Sequence, residues 1–118
     1  MQQQMENDMD RQDFEVTARE TFELIHQAID TLALDGVESY PQEDGLKLMF
    51  DDASYVELLR NDSSIEIDAH FGSDVDSFYW DAVEEQWYRR ADEYALSAVL
   101  SAQLSQRLGH AVDMSELL

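Results

Sequence analysis

The side chains in this sequence that could do chemistry are mostly acidic. Asp13, Glu20, Glu23 and Asp30 follow one another at steps of seven, three and seven residues. At 3.6 residues per turn they project from one side of a helix. Asp35 and Glu38 come just past the point where such a helix ends. Carboxylates are hard oxygen donors suited to Fe²⁺, Mn²⁺, Ca²⁺ and Mg²⁺. A row of them without a histidine partner binds such ions weakly, with water completing the shell. Charge on an exposed helix is ordinarily a solvated face and nothing more, so the spacing alone leaves both readings open. A second group is Glu66-x-Asp68-x-His70. On a strand these three share a face, as a divalent-metal ligand set or as an ordinary solvent-facing row. The aromatics Tyr79, Trp80, Trp87 and Tyr88 divide between core filling and partner contact, Trp87 being the better core candidate and Trp80 the better contact. Arg60, Arg89 and Arg90 form a small basic contrast, fit to pair with nearby carboxylates or with an acidic partner segment.

Composition removes several classes of function. The 118 residues hold 27 Asp+Glu against 7 Lys+Arg, a formal net charge of -20. Phosphate neutralisation needs Lys and Arg, so nucleic-acid binding is disfavoured, and anionic membrane surfaces with it. A strongly negative field instead attracts cations and basic protein surfaces. With no Cys there is no disulfide, thiolate metal site or catalytic thiol. Four Gly cannot build a phosphate-cradling loop. No G-x-S-x-G or H-E-x-x-H motif is present, and no apolar run approaches a membrane span. The opening Met1-Gln2-Gln3-Gln4 has neither an apolar signal region nor the Arg-rich look of a transit peptide. At 44% hydrophobic and 10% aromatic, the chain can still build a core.

The elements that must position these residues read in order. Residues 1–11 are polar and aperiodic, a flexible tail. From Asp13 the apolar positions Phe14, Ala18, Thr21, Ile25, Ala28 and Leu32 follow helical steps, and Asp35-Gly36 marks the exit. The period then becomes two. Val37–Tyr40 is a strand closed by Pro41, Leu46, Leu48 and Phe50 mark a second, and Tyr55–Leu59 a third. Ile65, Ile67, Ala69 and Phe71 mark a fourth, and Phe78–Trp80 with Trp87–Arg89 form a hairpin. Asp92 is placed to cap a second helix carrying Leu96, Val99, Leu100, Leu104 and Leu108, which Gly109 ends. The tail residues Val112, Met114, Leu117 and Leu118 are apolar enough to pack. Helix, about six short strands and helix make an α+β two-layer sandwich. Its two terminal helices pack on one face of an antiparallel sheet, within a single domain over residues 12–118.

Certain of these residues resemble the frataxin family. Trp87, and nine residues later Leu96-Ser97-Ala98-Val99-Leu100-Ser101-Ala102-Gln103-Leu104, is similar to that family's last strand and its L-x-x-L-L-x-x-x-L helix. Val112-Asp113-Met114-Ser115-Glu116-Leu117 is similar to the L-D-L-S-x-L tail of eukaryotic frataxins. Phe14-Glu15 with Ala18-Arg19-Glu20-Thr21-Phe22-Glu23 resembles the first helix, and Tyr55-Val56 opens like the Y-V-I-N strand. The central N-K-Q-x-P-x-x-Q-I-W-L stretch is largely missing. Leu59-Arg60-Asn61-Asp62-Ser63-Ser64-Ile65-Glu66-Ile67 stands there, with Glu66 in the slot of the exposed sheet Trp.

The resemblance implies weak Fe²⁺/Fe³⁺ binding on an acidic ridge made of Asp13, Glu20, Glu23, Asp30, Asp35 and Glu38. Gln27 and Thr31 interrupt that ridge. It implies docking on a cysteine desulfurase and iron–sulfur scaffold complex, through a face carrying Arg60, Asn61, Glu66, Asp68, His70 and Trp80. It further implies a monomer able to form iron-dependent oligomers, in the mitochondrial matrix or the bacterial cytoplasm. Ferroxidase activity is credited to the family, but no dedicated oxidation site is visible here. Two other readings stand beside it: an acidic protein-interaction module with no metal role, and an enzyme using a metal at Glu66, Asp68 and His70.

Overall fold

Period-two patterning from Val37 to Arg89 and helical patterning at both ends produce two layers. The computed structural model describes residues 11–115. In chain order the elements are α1 (Arg11–Thr31), β1 (Val37–Gln42), β2 (Gly45–Phe50), β3 (Tyr55–Asn61), β4 (Glu66–Phe71), β5 (Asp74–Asp81), β6 (Gln86–Arg89) and α2 (Leu96–Leu108). The six strands form one sheet in sequence order, and each neighbouring pair is antiparallel. The expected α+β sandwich is therefore the observed one. Residues 1–10 of the expected tail, with Leu117 and Leu118, lie outside the described residues, and Arg11 already belongs to α1.

One face of the sheet meets the helices. Leu46, Leu48, Val56, Leu58, Ile67, Ala69, Phe78 and Trp87 are buried there against Phe14, Ala18, Ile25, Leu96, Leu100 and Leu104. Burying one such large side chain contributes roughly 1.5–3 kcal/mol, so this seam supplies most of the driving force. Trp87 also pins α1 to the sheet. Its indole N–H donates to Thr21 Oγ1 at 2.8 Å in the buried interior, and its ring meets Phe14 edge-on. The C-terminal segment packs as its apolar residues require: Val112 and Met114 are buried. Their backbone N–H groups donate to Ser105 Oγ and Ser101 Oγ, both at 2.8 Å, from one side of α2.

Four local readings change. The first helix stops at Thr31, short of Asp35-Gly36. Ala33 takes the left-handed conformation (φ 51), its N–H donates to Asp30 C=O at 3.0 Å and Leu34 N–H to Ile29 C=O at 3.5 Å. That reciprocal pair is a Schellman closure, completed by Leu34 packing on the core. Pro41 lies inside β1, opposite Leu46, where an edge strand tolerates its missing N–H. Ile65 is a left-handed turn residue (φ 58), and β4 begins at Glu66. Asp92 does not cap α2. It accepts from Arg89, while Ala95 holds the cap position with no side-chain cap bond.

Candidate functional site

The buried stripe of α1 fixes where its acids point. Phe14, Ala18, Ile25 and Ala28 face the sheet, and Asp13, Glu20, Glu23 and Asp30 stand exposed on the opposite side. At 1.5 Å per residue the row runs about 25 Å along the helix, with Glu20 and Glu23 adjacent one turn apart. Asp35 follows at the helix exit, also exposed. Glu38, opposite Met49 and between helix-facing Val37 and Ser39, points from the outer face of β1 and meets Asp30 and Asp35 only across a groove at the sheet edge. Among the described residues no cation pairs with Glu20, Glu23, Asp30 or Asp35. Four of the basic side chains are engaged elsewhere. Arg60 pairs with Glu15 and Asp62, Arg89 with Asp76 and Asp92, and Arg90 with Glu66, while Arg107 donates to Ser54 Oγ. Glu38 accepts the Tyr40 hydroxyl and holds that phenol above its usual pKa through the hydrogen bond and its charge.

The row is not a uniform acid surface. Val16 and Leu24 expose 38% and 45% of themselves on the same helix, and Gln27 sits between Glu23 and Asp30. Among the described residues, no three His, Asp or Glu side chains come together to hold a metal ion. The geometry therefore suits weak, water-completed cation binding or contact with a basic protein surface; it has no caged site. His26, isolated in sequence, is one helical turn from Glu23 and bonds Ser39 Oγ on β1. His26 and Glu23 share a groove of ≈ 280 Å³ with Arg19, Glu43 and Asp44. The Glu23-x-x-His26 spacing was the available signal for that proximity.

The second layer's outer face carries the other group. The register puts Glu66, Asp68 and His70 on the side away from the helices, as their alternation with buried Ile67, Ala69 and Phe71 requires. They do not act together. Glu66 is only 7% exposed and pairs with Arg90, whose guanidinium lies 5.1 Å from the Tyr79 ring centre. Asp68 accepts from Asn61 Nδ2 at 3.0 Å and from Ser77 Oγ at 2.9 Å. His70 stands between Glu57 and Val75. With each carboxylate held by a different partner, this face presents no ready ligand set for an enzyme's metal. Asn61 also accepts the Ser63 and Ser64 N–H groups, closing the β3–β4 turn.

Two residues read as belonging to that outer face lie on the other side. Arg60 pairs with Ile67 in register and reaches Glu15 on α1. Trp80 is two residues from buried Phe78, so it shares the helix-facing side; it packs edge-on against Trp87 with ring centres 5.2 Å apart. The sheet surface thus keeps Asn61, Glu66, Asp68 and His70, while Arg60 and Trp80 belong to the layer interface.

No family model matches the chain, and no curated protein matches it. Solved structures do. A frataxin from Psychromonas ingrahamii, described as a model for stability modulation within the CyaY protein family, superposes with a TM-score of 0.82. The alignment covers 89% of this chain and 97% of that one, at 15% identity. The two-layer sandwich is the frataxin fold, as the residues at its two ends had implied.

Proposed function

We propose that this chain is an iron-binding adaptor of iron–sulfur cluster assembly. Exposed carboxylates of α1 and its exit, Asp13, Glu20, Glu23, Asp30, Asp35 and Glu38, bind Fe²⁺ or Fe³⁺ with roughly micromolar or weaker affinity, since few ligands are fixed. The same acids steer the protein to a basic groove on a cysteine desulfurase–scaffold complex. Asn61, Asp68 and His70 complete the contact from the sheet, and Arg60 and Trp80 support it from within. The observation that carries the reading is a frataxin fold whose first helix turns its acids to water without counter-cations at Glu20, Glu23 and Asp30. The chain acts as a monomer that assembles further on iron. The compartments that fit are the mitochondrial matrix and the bacterial cytoplasm; among the described residues no helix is long and apolar enough to cross a membrane.

A second reading, a protein-docking module with no metal role, is favoured by one feature. Val16 and Leu24 are exposed along α1 and Leu32 just past its end, a mixture of acids and apolar side chains that suits a protein surface better than an ion. Reversing charge in Glu20→Lys/Glu23→Lys separates the two. Pull-down with the desulfurase–scaffold complex, with and without iron, is expected to lose both capture and its iron dependence. If capture falls while the wild-type chain shows no response to iron at all, the docking module is the correct account.

A further inference from the structure

A groove of ≈ 230 Å³ lies between α1, the β5–β6 hairpin and the start of α2. Its apolar lining is Leu24, Trp80, Trp87 and Leu96, and Glu20 and Glu85 bring carboxylates to it. Ser97 lines it as well, although only 7% exposed. Among the described residues the Ser97 hydroxyl has no hydrogen-bond partner, and its backbone carbonyl accepts from the Ser101 hydroxyl. Ser97 is the second residue of α2, a 13-residue helix that no side chain caps among the described residues. The first bond of that helix runs from Val99 N–H to Ala95 C=O at 3.0 Å, so the Ser97 and Ala98 N–H groups have no acceptor within it. Free N–H groups and the helix dipole make this end attractive to a carboxylate.

The charges around the groove are opposed. A simple anion is repelled by Glu20 and Glu85, and a simple cation by the start of α2. A molecule bearing both charges next to an apolar group meets all three features. We infer that the groove binds a small zwitterion of the α-amino-acid class with an apolar side chain. Its carboxylate lies on the Ser97 hydroxyl and the first free N–H groups of α2, its ammonium on Glu20 or Glu85, and its side chain against Trp80. Nothing in this site requires iron.

The chain's two Trp residues both line this groove, so intrinsic fluorescence reports on it directly. Titration of the metal-free protein with L-leucine is expected to give a saturable change with a dissociation constant of about 1 mM, the range of a small ligand with few contacts. L-leucine methyl ester and N-acetyl-L-leucine, each lacking one charge, are expected to bind at least roughly tenfold more weakly. The amide resonances of Ser97 and Ala98 should shift with leucine. Ser97→Asp, which places the protein's own carboxylate at the helix start, should abolish binding, and Glu20→Gln/Glu85→Gln should weaken it by roughly tenfold. Absence of saturation with leucine overturns the inference. So does equal binding of the ester or the N-acetyl compound, or unchanged leucine binding by a folded Ser97→Asp protein. Because no metal enters the experiment, its result is separate from the iron reading.

Discussion

Gly45 shows how tightly single residues are held in this sheet. A Cβ at that position would sit 2.0 Å from the Leu58 carbonyl oxygen on the adjacent strand, and backbone cannot move aside as a side-chain tip can. Gly45→Ala is therefore expected to cost about 2–3 kcal/mol, at the upper end for overpacking, read as a lower denaturation midpoint in urea. An unchanged midpoint would mean that β2 and β3 lie further apart than described. At this scale the acids of α1 were legible because exposure along a helix follows from its own apolar stripe. Trp80 was less so: its side of the sheet depends on the phase of β5, which buried Phe78 sets. The shielding of Glu66 was not legible at all, because its partner Arg90 is 24 residues away and arrives by way of the β5–β6 hairpin.

The elements were legible where one periodicity persists. Leu46, Leu48 and Phe50, then Ile67, Ala69 and Phe71, alternate because each strand buries these residues on the helix side and leaves Lys47, Met49, Asp68 and His70 half-buried on the other. Element ends were less legible, because hydrogen-bond closure decides them and residue type only biases it. Asp35-Gly36 is a good exit signal, yet Ala33 already supplies the left-handed turn, and Leu34 seals it by packing inward. That conformation strains a residue with a Cβ. Ala33→Gly should relieve it and stabilise the protein by about 0.5–1 kcal/mol, seen as a raised thermal midpoint with the same fold. A lower midpoint would show that unfolded-state entropy outweighs the strain. Asp92 misled for a related reason: a capping-type residue before a helix was drawn off by Arg89, three residues back.

For the molecule as a whole, a net charge of -20 dominates. Such self-repulsion destabilises a compact state and is relieved by screening, so at neutral pH added salt should raise the thermal midpoint. Protonating some carboxylates acts in the same direction as the pH falls from 7 to about 5. A second effect opposes it lower down. Asp52 is held below the usual carboxylate range by the Ser54 hydroxyl and N–H, Asp92 by the Arg89 guanidinium, and Asp113 by the Ser115 hydroxyl and N–H. Groups depressed in the folded state stabilise it above their unfolded pKa of about 3.9, and that contribution is lost as the pH falls through the folded values. Thermal unfolding across pH should therefore show greatest stability near about pH 5 and a decline below about pH 4. A midpoint insensitive to salt at neutral pH would contradict the repulsion argument. The same charge, organised on α1, underlies the proposed function. Its most direct test is an amide NMR titration of the protein with Fe²⁺ under anaerobic conditions. The account predicts paramagnetic broadening concentrated at Asp13, Glu20, Glu23, Asp30 and Glu38 and their neighbours; broadening scattered over the surface, or none, would contradict it.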